Sequence, residues 1–205
     1  MIDQATILAA AAGGTHLFWI TSRAAGIAAL LLSSVSVCMG LLMGGRLLKR
    51  RGADLRAAHE ALSLSALVAL AVHGLSLLGD SYLHPSLGEV AIPFLGAYKT
   101  VWTGVGIVAF WMMLILGLSY YARARIGVSR WRRLHRLTAL AWILGIAHSL
   151  GEGGDAGKAW FLAMTGVVVI PALALLAARW LGSSRESRSR TAAPSAGARP
   201  VRAVR

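Results

Sequence analysis

The chain has 205 residues, of which 57% are hydrophobic and only 14% are charged. A soluble domain usually carries about 25% charged residues, so this composition argues against a soluble helical fold and indicates a membrane protein. The net charge of +13 could indicate nucleic-acid binding, but the basic residues lie between apolar runs and in the C-terminal tail, as positive-inside bias produces. No nucleic-acid partner is expected.

Five uncharged runs predict an all-α, polytopic bundle with five transmembrane helices. A helix that spans a bilayer needs about 20 apolar residues, and the fourth run approaches this length only if its helix starts near Trp131 with a snorkelling basic end. Pro171 is expected to kink the fifth helix. The runs lie between Arg23 and Arg46, Glu60 and Asp80, Lys99 and Arg123, Arg136 and Glu152, and Lys158 and Arg179.

The loops between these runs differ in charge. Segments 44–58 and 122–136 and the tail after Leu181 are strongly basic, whereas segments 80–99 and 151–158 hold two acidic residues and one lysine each. Basic loops stay in the cytoplasm. The N-terminus is therefore predicted outside, the C-terminus in the cytoplasm, and the second and fourth helices parallel, both running outward.

Three parts of the chain are predicted. Residues 1–17 form an external N-terminal segment without the basic region of a cleaved signal peptide. Residues 18–181 form the membrane domain. Residues 182–205 form a basic cytoplasmic tail, which is predicted to be disordered because its Ser, Ala, Pro and Arg composition cannot bury a core. The expected location is the plasma or inner membrane of the cell, with the lipid bilayer as a partner.

Two runs carry histidines at similar spacing. His59 and His73 are fourteen residues apart in the second run, and His135 and His148 are thirteen apart in the fourth. These intervals correspond to roughly 21 and 20 Å along a helix. Because both helices run outward, His59 is expected to face His135 at the inner side and His73 to face His148 nearer the outer side.

Each facing pair offers two imidazoles and no third ligand. Zinc needs three or four ligands, and no Cys, Asp or Glu lies at the depth of His73 or His148. Haem iron takes two axial ligands, often histidine, so the pairs predict two stacked b-type haems. The chain has one cysteine, Cys38, and no CxxCH motif, which excludes covalent c-type attachment.

Helix phase is a constraint on this interpretation. Fourteen residues rotate a helix by about 320°, which keeps His59 and His73 on one face, but thirteen rotate it by about 220°. His135 and His148 therefore need ring reach, helix tilt or a distortion near Gly145 to align.

Two other interpretations stay open at this point. A metal or proton transporter could use the same histidines, although it would also need acidic residues along its path, and the runs contain no Asp or Glu. A non-catalytic membrane scaffold would use the histidines only as hydrogen-bonding groups. An absorption spectrum with b-type bands separates the haem interpretation from both.

The histidine spacings and the string RWRRLHRL resemble the ferric reductase-like transmembrane domain family. The resemblance extends from about Phe18 to Leu181, and the segments SRAAGIAALLL and YKTVWTGVGIVAFWMMLILGLSYY fit it. This family includes the membrane parts of NADPH oxidases and ferric reductases. It also includes the bacterial haem subunit of the methionine sulfoxide reductase system.

The resemblance implies a cytochrome b that transfers electrons across the membrane, with His59 and His135 around an inner haem iron and His73 and His148 around an outer one. Residues 18–181 would form the haem domain of a reductase subunit, an oxidoreductase component. The sequence contains no GxGxxG motif after a strand, so a separate flavoprotein or a quinol is the expected donor. An external protein or small molecule is the expected acceptor.

Arginines near the histidines are predicted partners of anionic haem propionates. Arg133 and Arg136 flank His135, and Arg23 lies near the outer end of the first helix, against the positive-inside bias. Ordinary positive-inside charge or snorkelling explains these arginines equally well. A set of tryptophans is predicted to anchor helix ends at the interface: Trp102, Trp111, Trp131, Trp142 and Trp160.

Overall fold

The described part of the protein is entirely helical. A computed structural model describes the backbone of residues 4–44, 52–80 and 82–192, and the side chains of residues 16–44, 53–80 and 82–181. In chain order the helices are α1 (Gln4–Gly44), α2 (Gly52–Leu77), α3 (Leu87–Ala91), α4 (Thr100–Leu118), α5 (Arg123–Ile126), α6 (Val128–His135), α7 (Thr138–Glu152) and α8 (Ala159–Ala192).

Four helices in the described ranges are long and apolar enough to cross a membrane. They are His16–Gly44 of α1, Ala53–Leu77 of α2, Thr100–Leu118 of α4 and Ala159–Leu181 of α8. Helix α7 has 15 residues, fewer than the roughly 20 that span a bilayer. The protein is thus an all-helical membrane protein with four candidate spans, and a fifth span would need α6 and α7 together.

The long helix α1 organises the bundle. It packs along α2 and α8 and also contacts α7, while α4 packs mainly against α7. Helices α2 and α7, in contrast, are not among the pairs that pack closely. The main chains of α2 and α7 are therefore further apart than those of the packed pairs.

The largest fully buried side chains of the described part lie between α1 and α7. Trp142 of α7 is 1% exposed and Ser34 of α1 is 0% exposed. The indole Nε1–H donates to Ser34 Oγ at 2.9 Å, and Ser34 Oγ donates to the Leu30 carbonyl at 2.6 Å. The prediction of an interfacial anchor is wrong for Trp142, because its N–H finds a polar partner inside the protein and does not need the interface.

Trp142→Ala is expected to lower the free energy of unfolding by about 3–5 kcal/mol, because it empties a fully packed site. The measurement is thermal or denaturant unfolding of the purified protein in detergent. Trp160→Ala serves as the control, since Trp160 is 47% exposed and its loss should cost much less. Equal destabilisation by the two variants would contradict the core position of Trp142.

The fourth apolar run is divided into two helices. Helix α6 ends at His135 and α7 begins at Thr138. Between them the Leu137 N–H donates to the Leu134 carbonyl at 2.9 Å, a three-residue bond that winds the chain more tightly than an α-helical turn. The Thr138 hydroxyl donates to the His135 carbonyl at 2.7 Å, so this carbonyl also has a partner.

This break adjusts the helix phase between the two histidines of the run. A three-residue turn advances by about 20° more per residue than an α-helix, which reduces the mismatch between His135 and His148. The distortion lies at 136–137. Of the three alternatives considered, a distortion near Gly145 is not found, because Gly145 lies inside the continuous helix α7.

Both terminal segments are more helical than the sequence suggested. Helix α1 begins at Gln4, inside the predicted external segment 1–17, and α8 continues to Ala192, inside the segment 182–205 that was predicted to be disordered. Arg, Glu and Ala favour helix, and extending a formed helix costs far less than starting one. Pro171 lies inside α8 without ending it. Residues 193–205 lie outside the described part.

Candidate functional site

The structure brings the four histidines together as two pairs between α2 and the α6–α7 segment. The ring centroids of His59 and His135 are 6.2 Å apart, with an angle of 86° between the ring planes. Those of His73 and His148 are 6.3 Å apart, with an angle of 69°. All four rings are half-buried, at the space between α2 and α7.

These separations suit two imidazoles bound to one metal ion from opposite sides. A metal–imidazole nitrogen bond is about 2 Å long and a ring nitrogen lies roughly 1 Å from its centroid, so the two centroids would be roughly 6 Å apart. Among the described residues, no group of three or more His, Cys, Asp or Glu side chains is placed to hold a metal ion. Two axial ligands are the number that haem iron takes.

Main-chain carbonyls define the tautomer of three of the four rings. A carbonyl only accepts, so each of these Nδ1 atoms carries the proton and leaves the Nε2 lone pair free. This is the usual arrangement of a histidine that ligates a metal. The bonds join His59 Nδ1 to Ser36 O (3.0 Å), His73 Nδ1 to Ser22 O (2.8 Å) and His148 Nδ1 to Trp102 O (2.8 Å).

The environment of His135 is different. Its Nδ1 is buried and forms no hydrogen bond of standard geometry within the described ranges, although the main chain of Leu116 lies near it. Trp131, one helical turn earlier, stacks on the ring with centroids 5.1 Å apart and an interplanar angle of 28°. The predicted interfacial tryptophan therefore packs directly on a candidate ligand.

Three of the rings lie against a glycine of a neighbouring helix. A methyl group added at these glycines would come so close to the imidazole that the ring would have to move. Gly106 of α4 thus faces a candidate ligand. An added Cβ would lie 3.0 Å from His73 Nδ1 at Gly26, 3.2 Å from His59 Cε1 at Gly40, and 2.5 Å from His148 Nδ1 at Gly106.

Helix α1 carries the unit Ser-x3-Gly twice, fourteen residues apart, at Ser22–Gly26 and Ser36–Gly40. The first unit contacts His73 and the second contacts His59, so the order is reversed along α2, where the two histidines are also fourteen residues apart. Each unit supplies one carbonyl and one glycine to one imidazole. Sequence analysis missed these residues, although the shared interval of fourteen is the signal that could have found them.

Arg23 has partners within the protein. Its guanidinium forms an ion pair with Asp155 and lies over the ring of Trp19, 5.0 Å from the centroid. Asp155 is 4% exposed and also pairs with Lys158 at 3.0 Å. A propionate would have to share Arg23 with this carboxylate. The contact that the structure gives Arg23 is therefore an ion pair that links α1 to the α7–α8 loop.

The other two predicted propionate partners lie at the opposite end of the bundle. Arg133 and Arg136 are exposed, and neither forms an ion pair with a described residue. Both lie within two residues of His135 in the chain. Their role toward a propionate stays a prediction.

The ion pairs of Asp155 predict a pH dependence of stability. Burial acts to raise the pKa of this carboxyl, but hydrogen bonds and charges from Lys158 and Arg23 outweigh it and lower the pKa. A carboxyl with a lowered folded-state pKa stabilises the fold fully above the unfolded value, about 3.9, and less as the pH falls through the folded value. The Tm of the wild type should therefore fall more steeply than that of Asp155→Asn below about pH 4. Parallel curves would contradict the ion pairs.

Fold and site together define a multi-pass helical membrane protein with paired histidines inside the bundle. Residues 25–146 match the ferric reductase like transmembrane component family, which is more than half of the chain, and the chain belongs to this family. The match includes His59, His73 and His135 and ends just before His148. No curated protein and no solved structure matches the chain significantly.

Family membership confirms the resemblance seen in the sequence. Domains of this family typically bind haem, and membership indicates a membrane component of electron transfer. The residues present fit such a group: two pairs of imidazoles, three of them with a free Nε2 atom, and three glycines where a side chain would displace a ring.

Proposed function

We propose that the protein is a di-haem b-type membrane cytochrome that carries electrons from a cytosolic flavoprotein or a quinol to an external acceptor, as a subunit of a reductase. The observation that supports this most is the presence of two histidine pairs with nearly equal ring separations, 6.2 and 6.3 Å. When bound, a haem with two histidine ligands supplies one-electron transfer without an open site on the iron.

The residues of the chain would hold one haem in each leaflet. Fourteen residues separate His59 from His73, which is roughly 21 Å along α2. His59 and His135 would hold the inner haem, and His73 and His148 the outer one. The glycines at positions 26, 40 and 106 leave the imidazoles room against α1 and α4.

The proposed orientation places the N-terminus outside and the C-terminus in the cytoplasm of a multi-pass plasma or inner membrane protein. The support is the charge difference between the two ends. Arginines cluster around His135, while the ion pairs of Asp155 lie in the α7–α8 loop beyond His148. In this orientation α6 and α7 together form the fourth of five crossings, and Arg133 and Arg136 are available to inner propionates.

The test is the haem content and spectrum of the purified protein. We expect two haems per chain by the pyridine haemochrome assay, and reduced α and Soret bands of b type. Reconstituted into vesicles, the loaded protein should pass electrons from external dithionite to enclosed ferricyanide, while the haem-free protein should not. A colourless purified protein that cannot be loaded with haem would contradict the proposal and favour a scaffold role.

A further inference from the structure

The hydroxyl group of Ser22 closes a loop of hydrogen bonds around one histidine of the outer pair. Ser22 Oγ lies 3.1 Å from His73 Nδ1 and donates to the His73 carbonyl at 2.9 Å. Since its hydrogen is used there, its lone pair accepts from Nδ1–H. Ser22 is only 3% exposed, so the hydroxyl is largely shielded from solvent.

The inner pair has the same loop with one more hydroxyl. Ser36 Oγ lies 3.0 Å from His59 Nδ1 and 2.8 Å from Ser63 Oγ. Ser63 donates to the His59 carbonyl at 2.7 Å. Because that bond uses the Ser63 hydrogen, Ser36 donates to Ser63, and its lone pair accepts from the imidazole.

Each imidazole N–H thus has two acceptors from the same serine. For His73 these are the Ser22 carbonyl at 2.8 Å and the hydroxyl at 3.1 Å. One acceptor would define the tautomer alone, but two acceptors in different directions also restrict rotation of the ring plane. The other two serines of α1, Ser33 and Ser34, donate within α1 to the Leu30 carbonyl.

We propose that Ser22 and Ser36 are positioning residues that set the rotation of His73 and His59 and keep the two imidazole planes of each pair near perpendicular. The planes meet at 69° in the outer pair and 86° in the inner pair. This inference rests on the proposed function, because its consequences appear on bound haem iron. It concerns the orientation and donor strength of the ligands, not their presence.

Two properties of the iron follow from this arrangement. In a ferric haem with two imidazole ligands, perpendicular planes give a strongly anisotropic low-spin EPR signal, and parallel planes give a rhombic one. A hydrogen bond from Nδ1–H makes Nε2 a stronger donor, which stabilises ferric iron and lowers the reduction potential. The serine hydroxyls should therefore affect both the EPR signal and the potential.

The experiment compares EPR spectra and potentiometric titrations of the full-length, haem-loaded protein. Ser22→Ala should convert the anisotropic signal of one haem toward a rhombic one and raise its potential. Ser36→Ala should do so for the other haem. Ser22→Thr keeps the hydroxyl and should restore the wild-type signal. Ser33→Ala is the matched control on α1, since Ser33 is also buried and its hydroxyl donates to the Leu30 carbonyl within α1.

The outcomes separate this inference from the proposed function. A wild type without haem overturns the proposed function, whereas alanine variants that bind both haems with unchanged signals and potentials overturn only the positioning role. If Ser22→Ala binds one haem fewer, the spectrum of Ser22→Thr tests whether the hydroxyl orients His73. A wild-type spectrum for Ser22→Thr supports the role of the hydroxyl, and an altered one contradicts it.

Discussion

His73→Ala is expected to reduce the haem content from two per chain to one. The variant removes one of the two imidazoles, 6.3 Å apart, that would hold the outer iron, and a single axial histidine leaves the haem weakly bound in an apolar bundle. His59 and His135 are about four helical turns away and keep their own contacts. The inner haem should therefore remain, with its potential and EPR signal little changed.

The measurement is the pyridine haemochrome content per chain, with EPR to identify which haem remains. His16→Ala provides the control, because His16 is an exposed histidine of α1 outside both pairs. It should retain two haems. Two haems in His73→Ala would exclude His73 as a ligand, and the complete loss of haem would show that the two sites do not form independently.

Gly106→Ala is expected to cause a loss at the same haem, although residue 106 bears no side chain that could bind it. A Cβ at this position would lie 2.5 Å from His148 Nδ1, and contacts this short force the ring or α4 to shift. Overpacking of this kind typically costs about 1–3 kcal/mol. It would also break the bond of His148 to the Trp102 carbonyl, which holds the ring in place.

Gly145→Ala makes the same chemical change in α7 at a site where nothing lies within 4 Å of the added carbon. It should bind two haems and be more stable by up to about 1 kcal/mol, since alanine favours helix over glycine. The measurements are the haem content and the Tm of Gly106→Ala and Gly145→Ala. If Gly106→Ala also retains two haems with the wild-type spectrum, the close approach of His148 to α4 is not required.

The effects of His73→Ala and Gly106→Ala on haem content should not be additive. His73→Ala and Gly106→Ala act on opposite ligands of one proposed haem, so the double variant should bind as much haem as His73→Ala alone. Residues that share one partner commonly show such coupling. A double variant without haem would instead place Gly106 in the support of the inner site as well.

Much of this protein is determined by local sequence properties. The apolar runs predicted a helical membrane protein because bilayer thickness fixes how many apolar residues a span needs. The histidine intervals, fourteen on α2 and thirteen before His148, predicted which rings would face each other, because rise per residue depends little on the neighbours. The family prediction, made on these intervals and on RWRRLHRL, is confirmed.

What a residue contacts across the bundle was decided only by the tertiary structure. Trp142 resembles the interfacial tryptophans in sequence, yet it is buried against Ser34; Arg23 pairs with Asp155, 132 positions further along the chain. The break between α6 and α7 at 136–137 and the hydrogen bonds of Ser22 and Ser36 to the histidines likewise depend on how each helix is rotated about its axis. That rotation is set by the packing of all neighbouring side chains at once, which composition and spacing along one helix do not contain.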